Sequence, residues 1–360
     1  MPEREFSCSK CGAKLKFQPG TDHLLCPYCG RQNQIESQSP PIEELDYEAA
    51  LRKFEGQAET VDRVEVTCQA CAARVQMADN VSSAKCPFCG TPIVATERTV
   101  KLIKPGGVLP FVLDERKARE ALGSWIGGRW FAPNDLKRSA RVDAGVSGVY
   151  MPFWTYDCKA TTQYTGQRGD HYYVTESYTT TENGRPVVRT RQVQRTRWSP
   201  AAGTVRNVFD DVLVCASRSI SVDGLASLAP WDLKALVPYT DEYLSGFKAE
   251  TYTLQLKDGF GVAREIMAPT IDRTIRADIG GDVQQVSSAR SAYNDITYKH
   301  MLLPVWVCAY RWNNKAYQIL INARTGEVFG ERPYSAWKIA MLVAAILVAV
   351  LVIVLFARSG

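Results

Sequence analysis

Eight of the eleven cysteines fall into two groups of four with metal-ligand spacing. In each group, a Cys-x-x-Cys pair is followed, after fourteen residues, by a second Cys-x-x-Cys pair. Two such tight turns can present four thiolates to one tetrahedral cation, and zinc suits that ligand set. The predicted ligands are Cys8, Cys11, Cys26 and Cys29 in the first group and Cys68, Cys71, Cys86 and Cys89 in the second.

The two groups are copies of one unit, because every cysteine recurs sixty positions later. Cys-Pro-Tyr-Cys-Gly at 26–30 recurs as Cys-Pro-Phe-Cys-Gly at 86–90. In the first copy Pro27 stiffens the turn, and Gly30 stands where the chain often needs a positive φ. A unit of about 23 residues is too small to bury a stable core, so we expect metal binding and folding to be coupled.

These spacings predict rubredoxin-like zinc ribbons at 5–36 and 64–97, holding two zinc ions per chain. A dithiol redox pair would not need four cysteines twice, whereas an iron centre of the rubredoxin kind uses similar turns and stays open as an alternative. Four thiolates close the coordination sphere, so we expect no hydrolytic role for the metal. Cys158, Cys215 and Cys308 stand alone in apolar segments and are predicted to be buried side chains.

Composition places the chain among globular proteins. It has 360 residues, of which 46% are hydrophobic and 22% charged. The formal net charge of +5 is too small to indicate nucleic-acid binding without a local patch. Residues 1–10 carry no apolar signal core, so we expect the cysteines to be reduced.

The linker at 39–58 is predicted to be an amphipathic helix that spaces the two ribbons. Ser39 precedes two prolines, which is typical of a helix start. Acidic residues come early and basic residues late, as the helix dipole favours. The apolar face would be formed by Ile42, Leu45, Ala49 and Phe54.

The segment 99–333 is the only stretch long enough for a large core. It is rich in Val, Thr, Tyr and Trp with period-two alternation, which predicts a mainly antiparallel, β-rich α+β domain. Helices are expected at Glu115–Ile126 and Val262–Ala277, with Pro269 able to kink or divide the second.

A weaker repeat lies inside this domain. Leu109-Pro-Phe resembles Val237-Pro-Tyr, and each is followed by an apolar Pro-x-Trp segment, at Pro152 and at Pro304. These matches indicate two related α+β halves, with coincidence among common residues as the alternative.

The strongest basic feature is a strand with four arginines on one face, namely Arg189, Arg191, Arg195 and Arg197. Taken alone, this pattern indicates a surface for phosphate, nucleic acid or another acidic ligand. Upstream, Asn183-Gly184 predicts a type I′ hairpin turn. Folding about that turn would place Glu182 opposite Arg185, Glu176 opposite Arg191, Asp170 opposite Arg197, Tyr178 beside Arg189 and Tyr172 beside Arg195.

Two interpretations of this face therefore stay open: a surface that largely neutralises itself through cross-strand pairs, and a true acidic-ligand surface. If the hairpin projects toward a bilayer, its remaining positive charge could meet anionic lipid.

The segment from Ile339 to Ala357 contains nineteen consecutive residues with no charge, proline or glycine. As a helix it would be about 28 Å long, close to the hydrocarbon thickness of a bilayer. Trp337 and Lys338 at one border and Arg358 at the other suit head-group depth. We predict a transmembrane helix at 337–357 and a tail-anchored, single-pass protein of the cell membrane, with the bulk of the chain in the cytoplasm.

Signatures of several enzyme classes are missing. No Gly-Lys dipeptide occurs, so the Gly-x-x-x-x-Gly-Lys phosphate loop is excluded, and with it an ATP-driven motor of that class. There is no Gly-x-Ser-x-Gly or His-Glu-x-x-His motif, and Gly259-Phe-Gly matches the dinucleotide fingerprint only in part. The three histidines, His23, His171 and His300, are far apart in sequence. We expect no enzyme activity and no small-molecule substrate.

The whole chain resembles a bacterial family of membrane proteins with tandem zinc ribbons of the TFIIB type and one C-terminal span. Segments that carry the resemblance are 128–134, Tyr164–His171, Pro230–Asp232 and Gly330–Pro333. Members are often labelled after the primosomal replication-restart helicase, a name that the missing phosphate loop argues against. The resemblance implies architecture and a bacterial setting, but no catalytic residues.

The sequence therefore favours an adaptor at the cytosolic face of a membrane that binds another protein. The alternative is a membrane-tethered nucleic-acid binder linked to replication or transcription. Excess positive charge in the ribbons is small, so phosphate contacts there would give modest, salt-sensitive affinity.

Overall fold

The structure is a computed structural model of the 360-residue chain with an α+β fold built on a large, mainly antiparallel sheet. The residues that it describes are 6–35, 42–54, 60–68, 73–76, 83–88, 91–94, 99–131, 133, 146–182, 185–217, 228–312, 315–330 and 334–359.

Three very long strands form the centre of the sheet: β11 (Val146–Glu182), β12 (Arg185–Cys215) and β15 (Val283–Trp312). β11 lies in the middle and pairs antiparallel with both neighbours. Val, Thr and Tyr residues favour these extended strands. Between Val149 and Tyr156, successive side chains of β11 are buried, so both faces of the sheet are covered there.

Shorter strands complete the structure. They are, in chain order, β1 (Lys16–Phe17), β2 (His23–Leu25), β3 (Gln32–Gln34), β4 (Leu45–Asp46), β5 (Thr60–Thr67), β6 (Arg74–Gln76), β7 (Ser83–Lys85), β8 (Pro92–Val94), β9 (Thr99–Ile103), β10 (Gly107–Val108), β13 (Val237–Pro238), β14 (Lys248–Ala249), β16 (Lys315–Asn322) and β17 (Val328–Gly330). Strands β4, β10, β13, β14, β16 and β17 extend the large sheet, and the others form small sheets in and beside the ribbons.

Four α-helices occur in the described residues: α1 (Tyr47–Phe54), α2 (Glu115–Gly127), α3 (Leu256–Ile279) and α4 (Ala336–Ser359). Helix α2 begins where expected, because the Asp114 carboxylate accepts a hydrogen bond from the Lys117 N–H at 2.8 Å. Helix α3 is longer than expected and continues through Pro269.

The linker helix differs from its prediction. Residues 42–44 are not helical, and β4 pairs instead with β15. Helix α1 begins after Asp46, whose carboxylate accepts a hydrogen bond from the Ala49 N–H at 2.6 Å. The local carboxylate cap and the sheet edge thus determine the start of the helix. Ser39 and its two prolines lie outside the described residues.

Two halves of the large domain have similar but not identical orders of elements. The first half runs β10, α2, β11 and β12, and the second runs β13, β14, α3, β15 and β16, with β14 as an additional strand. β10 pairs with β13, and β11 pairs with β15, antiparallel in both cases.

Two tryptophans make equivalent contacts between these halves. The indole N–H of Trp154 donates to the carbonyl of Leu254 at 2.9 Å, and that of Trp306 donates to the carbonyl of Leu113 at 2.9 Å. Each acceptor directly precedes the cap residue of the helix in the other half. The two bonds join the halves in equivalent ways, although β10 pairs parallel with β15 whereas β14, rather than β13, pairs parallel with β11.

Both cysteine ribbons pack against this sheet, on opposite faces. Successive side chains of a strand point to opposite faces, and Tyr150 and Met151 of β11 belong to different buried clusters. Tyr150 lies with α2 and the ribbon that contains Cys26, whereas Met151 lies with the ribbon that contains Cys86. The ribbons are therefore part of the folded body.

Candidate metal centre

The first ribbon, called ribbon 1 (residues 6–35), is built from two matching turns. The Cys8 N–H donates to the Ala13 carbonyl at 2.8 Å, and the Cys26 N–H donates to the Arg31 carbonyl at 2.9 Å. Gly12 and Gly30, one residue after the last cysteine of each turn, have φ of 71° and 70°. Because side chains with a Cβ rarely adopt this conformation, glycine there lets the chain leave each turn.

These turns bring four sulfurs together. The Sγ atoms of Cys8 and Cys29 are 3.6 Å apart, those of Cys11 and Cys26 are 3.5 Å apart, and those of Cys11 and Cys29 are 3.6 Å apart. Four sulfurs at about 2.3 Å from a tetrahedral zinc ion would be about 3.8 Å from one another. The cluster therefore fits a tetrahedral cation, and the four cysteines that would hold it are those predicted from the spacing.

Backbone amides in the turns stabilise thiolates. The Lys10 N–H donates to the Cys8 Sγ at 3.4 Å and lowers the pKa of the Cys8 thiol to about 6. Backbone hydrogen bonds from Cys29 and then Tyr28 lower the pKa of the Cys26 thiol. Anionic sulfur is the form that binds a metal.

Cys11 shows how strongly the four sulfurs affect one another. A backbone hydrogen bond from Ala13 favours its thiolate, but contact with the Cys26 and Cys29 sulfurs outweighs that bond and raises the pKa of Cys11 to about 12. Four negative sulfurs in contact repel one another, and a divalent cation removes that repulsion.

The second ribbon, called ribbon 2 (the described residues between 60 and 94), repeats this backbone. The Cys68 N–H donates to the Ala73 carbonyl at 2.8 Å, and the Cys86 N–H donates to the Thr91 carbonyl at 2.9 Å. Both bonds match those of ribbon 1 with the numbers raised by sixty. The pairing of β7 with β8 likewise repeats that of β2 with β3 at the same displacement.

The structure describes two of the four predicted ligands in ribbon 2. Cys68 and Cys86 are almost fully buried. Cys71 and Cys89, the other two predicted ligands, lie outside the described residues, as does Gly90.

The two ribbons differ in the exposure of equivalent side chains. Tyr28, between the last two cysteines of ribbon 1, is 82% exposed, whereas its counterpart Phe88 is 3% exposed. Pro27 is exposed, and Pro87 is buried. Phe88 belongs to the same buried cluster as Met151. One copy of the turn therefore faces solvent, and the other is embedded against the sheet.

The prediction that the three isolated cysteines are buried is confirmed for Cys158 and Cys308 and is wrong for Cys215, which is partly exposed. Cys158 and Cys308 are buried, and burial raises the pKa of each thiol to about 11. Although the residue Cys215 is partly exposed, burial of its sulfur raises the pKa of the thiol to about 12. These thiols stay protonated and contrast with Cys8.

The three histidines occupy separate environments. His23 lies on β2, and its Nε2 atom is 3.1 Å from the Gln18 side-chain oxygen. The Nδ1 atom of His171 is 3.0 Å from the Thr196 hydroxyl. His300 is buried, and its Nδ1 atom is 3.0 Å from the carbonyl of Ile103. No contact between two of these histidines is observed within the described residues.

An acidic group that sequence reasoning missed surrounds Lys299. Its ammonium lies 2.8 Å from Asp211, 3.1 Å from Glu44 and 3.8 Å from Asp157. The carboxylates come from distant parts of the chain, so spacing gives no signal for them. With a cation already among them, we interpret the group as an ion-pair network.

The arginine face lies on the projecting part of the β11–β12 hairpin, beyond the last residue of β11 that pairs with β15, Gly169. The observed register is the predicted one: Glu182 pairs with Arg185, Glu176 with Arg191, Asp170 with Arg197, Tyr178 with Arg189 and Tyr172 with Arg195. The predicted turn residues, Asn183 and Gly184, lie outside the described residues.

The contacts on this face follow the register only in part. Glu176 lies 2.6 Å from Arg195 and 3.5 Å from Arg191. The rings of Tyr178 and Tyr172 lie under Arg191 and Arg197, at 5.6 and 5.4 Å, rather than under the arginines directly opposite. Long side chains lean along the strand, so diagonal neighbours meet.

The C-terminal helix α4 is long and apolar enough to cross a membrane, from Ala336 to Ala357, and none of that segment is buried against the protein. Ser335 caps it, since its hydroxyl accepts a hydrogen bond from the Lys338 N–H at 3.5 Å. An uncovered apolar helix of this length has the form of a membrane span.

Comparison with known proteins finds a bacterial relative of similar length. The chain is 25% identical over 337 residues to the uncharacterized protein YdjG of Bacillus subtilis (strain 168). The aligned residues are 93% of this chain and 92% of the relative. No family model matches the chain. No solved structure matches it either. The chain is thus similar over nearly its whole length to a distant Bacillus protein.

Proposed function

We propose that the protein is a membrane-anchored adaptor, in which ribbon 1 presents a metal-stiffened turn to another protein and α4 holds the chain in the bilayer. The observation that carries this proposal is the exposure of Tyr28 on a turn whose twin in ribbon 2 is buried. A large aromatic side chain held on a rigid, exposed turn is the kind of anchor that dominates protein interfaces.

Zinc is the metal that the proposal requires. Cys8, Cys11, Cys26 and Cys29 would hold one ion, and the cysteines of ribbon 2 would hold a second. The sulfur distances of ribbon 1 support a closed four-thiolate site, which gives the metal a structural task and leaves no position for substrate. A non-catalytic role for the chain is part of this proposal.

The decisive test is capture of a partner by the full chain, extracted from its native membranes in mild detergent. We expect a defined protein to be recovered with the wild type and lost, by tenfold or more, with Tyr28→Ala. Tyr173→Ala is the matched control, because Tyr173 is also exposed, at 64%, but lies on the hairpin. Cys26→Ser should also abolish recovery. Recovery unchanged by Tyr28→Ala would refute docking through ribbon 1.

Anchoring is tested separately. Removal of residues 337–360 should release the protein from membranes, since α4 is the only span found in the described residues. In intact membranes, ribbon 1 should be digested only by a protease added from the cytoplasmic side. Digestion from the opposite side would contradict the proposed orientation.

A second candidate, nucleic-acid binding, is favoured by one observation. The exposed hairpin face carries five arginines, at 185, 189, 191, 195 and 197, against carboxylates at 170, 176 and 182. Titration of the full chain with single- and double-stranded DNA at two salt concentrations tests it, because binding through phosphate contacts weakens steeply with salt. Absence of binding at low salt would remove this candidate.

A further inference from the structure

Four aromatic side chains surround the start of α4. Trp130 and Phe131 follow α2, Tyr334 lies two residues before α4, and Trp337 lies in its first turn. We call these four residues the aromatic base. Trp130, Tyr334 and Trp337 are 59%, 62% and 73% exposed. Large aromatic side chains so exposed on a folded body mark a surface that meets something other than water.

Two hydrogen bonds tie the segment after α2 to α4. The Ser335 N–H donates to the Phe131 carbonyl at 2.8 Å. The Lys338 ammonium donates to the Trp130 carbonyl at 3.0 Å. The rings of Trp130 and Phe131 contact each other edge to face, with centroids 5.1 Å apart. The aromatic base is therefore one connected structure, although its two parts are about 200 residues apart in sequence.

The position of these bonds sets the depth of the aromatic base. Lys338 directly precedes the apolar segment that starts at Ile339. Because a helix rises about 1.5 Å per residue, Ser335 and Lys338 lie within about 6 Å of the apolar boundary along the helix axis. The head-group region on each side of a bilayer is about 5–8 Å thick. Both bonds thus fall at head-group depth if α4 spans the membrane.

The chemistry of the aromatic base suits that depth. Trp and Tyr are enriched where the hydrocarbon core meets the head groups, because each ring has an apolar body and a polar atom. Lys338 adds a cation that anionic lipid attracts.

We propose that Trp130 and Phe131 form a second membrane contact, in which their rings insert at the boundary between lipid head groups and acyl chains. This inference rests on the proposed span of α4. Helix α2 would transmit this contact to the large domain, since its residues Leu122 and Ile126 are buried in the same cluster as Tyr150. The face of the sheet that carries α2 and ribbon 1 is then held at a fixed orientation to the bilayer.

Photocrosslinking tests the contact in the full chain, reconstituted in vesicles of phosphatidylcholine and phosphatidylglycerol. The variant Trp130→p-benzoylphenylalanine should give lipid adducts, detected by intact mass, at a yield similar to Trp337→p-benzoylphenylalanine. Tyr28→p-benzoylphenylalanine is the matched control on ribbon 1, and its lipid yield should be at least tenfold lower.

Carbonate extraction of the same vesicles separates failure of this inference from failure of the proposed span. If the chain resists extraction and position 337 labels lipid but position 130 does not, the second contact is refuted and the span stands. Equal lipid yields at positions 130 and 28 would also refute it. If carbonate releases the chain, the span fails and the second contact fails with it.

Discussion

Ribbon 1 and ribbon 2 share a backbone and differ in their surroundings. The same two hydrogen bonds close the turns in each copy, displaced by sixty residues. In ribbon 1 the turn that contains Tyr28 faces solvent, whereas in ribbon 2 the equivalent Phe88 is buried against the sheet. The comparison teaches that the cysteine pattern specifies a small rigid unit, and that the side chains between the cysteines decide whether the unit presents a surface or covers one.

Loss of a ligand should have the largest effect, and in both ribbons. Cys26→Ser and Cys86→Ser should each lower the zinc content of the full chain from two ions to one and reduce the melting temperature by about 10 °C or more, because metal binding and ribbon folding are coupled. Elemental analysis and thermal unfolding in detergent measure both effects. A variant that keeps two ions would show that its cysteine is not a ligand.

Truncation of the equivalent aromatic residues, Tyr28 and Phe88, should affect stability differently in the two ribbons. Phe88→Ala is expected to cost about 3–5 kcal/mol, because it leaves a cavity in a packed core, while Tyr28→Ala should change stability by less than about 0.5 kcal/mol. Urea unfolding of the two variants measures the difference. Similar costs at the two positions would contradict the assignment of one exposed and one embedded turn.

Acid should destabilise the large domain through protonation of His300, which lies outside both ribbons. Burial lowers the pKa of His300 to about 4, below the value of about 6.5 for an unfolded chain. As pH falls from 6.5 toward 4, His300 becomes protonated in the unfolded state but stays neutral in the folded state. The free energy of unfolding therefore falls, by about 2 kcal/mol at pH 5.

His300→Asn removes this titration. Comparison of the variant with the wild type cancels the effects of acid on the cysteines, which both proteins share. Urea unfolding at pH 7 and pH 5 should show a smaller loss of stability in the variant than in the wild type. An equal loss would mean that His300 carries no part of the pH dependence.

The glycines after the turns should give the smallest effect and test the repeat itself. Gly30 has a φ of 70° with open space around it, so Gly30→Ala should cost about 1–2 kcal/mol from backbone strain alone. Gly90→Ala should cost the same if ribbon 2 repeats the conformation. Gly123→Ala, on α2 with open space, is the control and should stabilise the chain by about 0.5–1 kcal/mol.

Much of the site could be predicted because its determinants are local. Cysteine spacing and the glycine after each turn identified the cluster at Cys8, and an Asn-Gly turn together with period-two alternation gave the register of the hairpin. Nineteen apolar residues identified α4. In each case a short segment contains the geometric constraint.

What could not be predicted depends on tertiary contacts. The start of α1 depends on β4 pairing with β15, about 250 residues away. The burial of Phe88 depends on a sheet face that no local pattern around residue 88 encodes. The hydrogen bond from Lys338 to Trp130 likewise joins distant segments, so no local sequence pattern predicts the aromatic base.

The central claim is that both ribbons are closed by a metal ion, and the metal content of the purified full chain tests it most directly. Elemental analysis by mass spectrometry should find two zinc ions per chain, falling to one with Cys26→Ser and to one with Cys86→Ser. A single zinc ion in the wild type, unaffected by Cys86→Ser, or iron in place of zinc, would contradict the account.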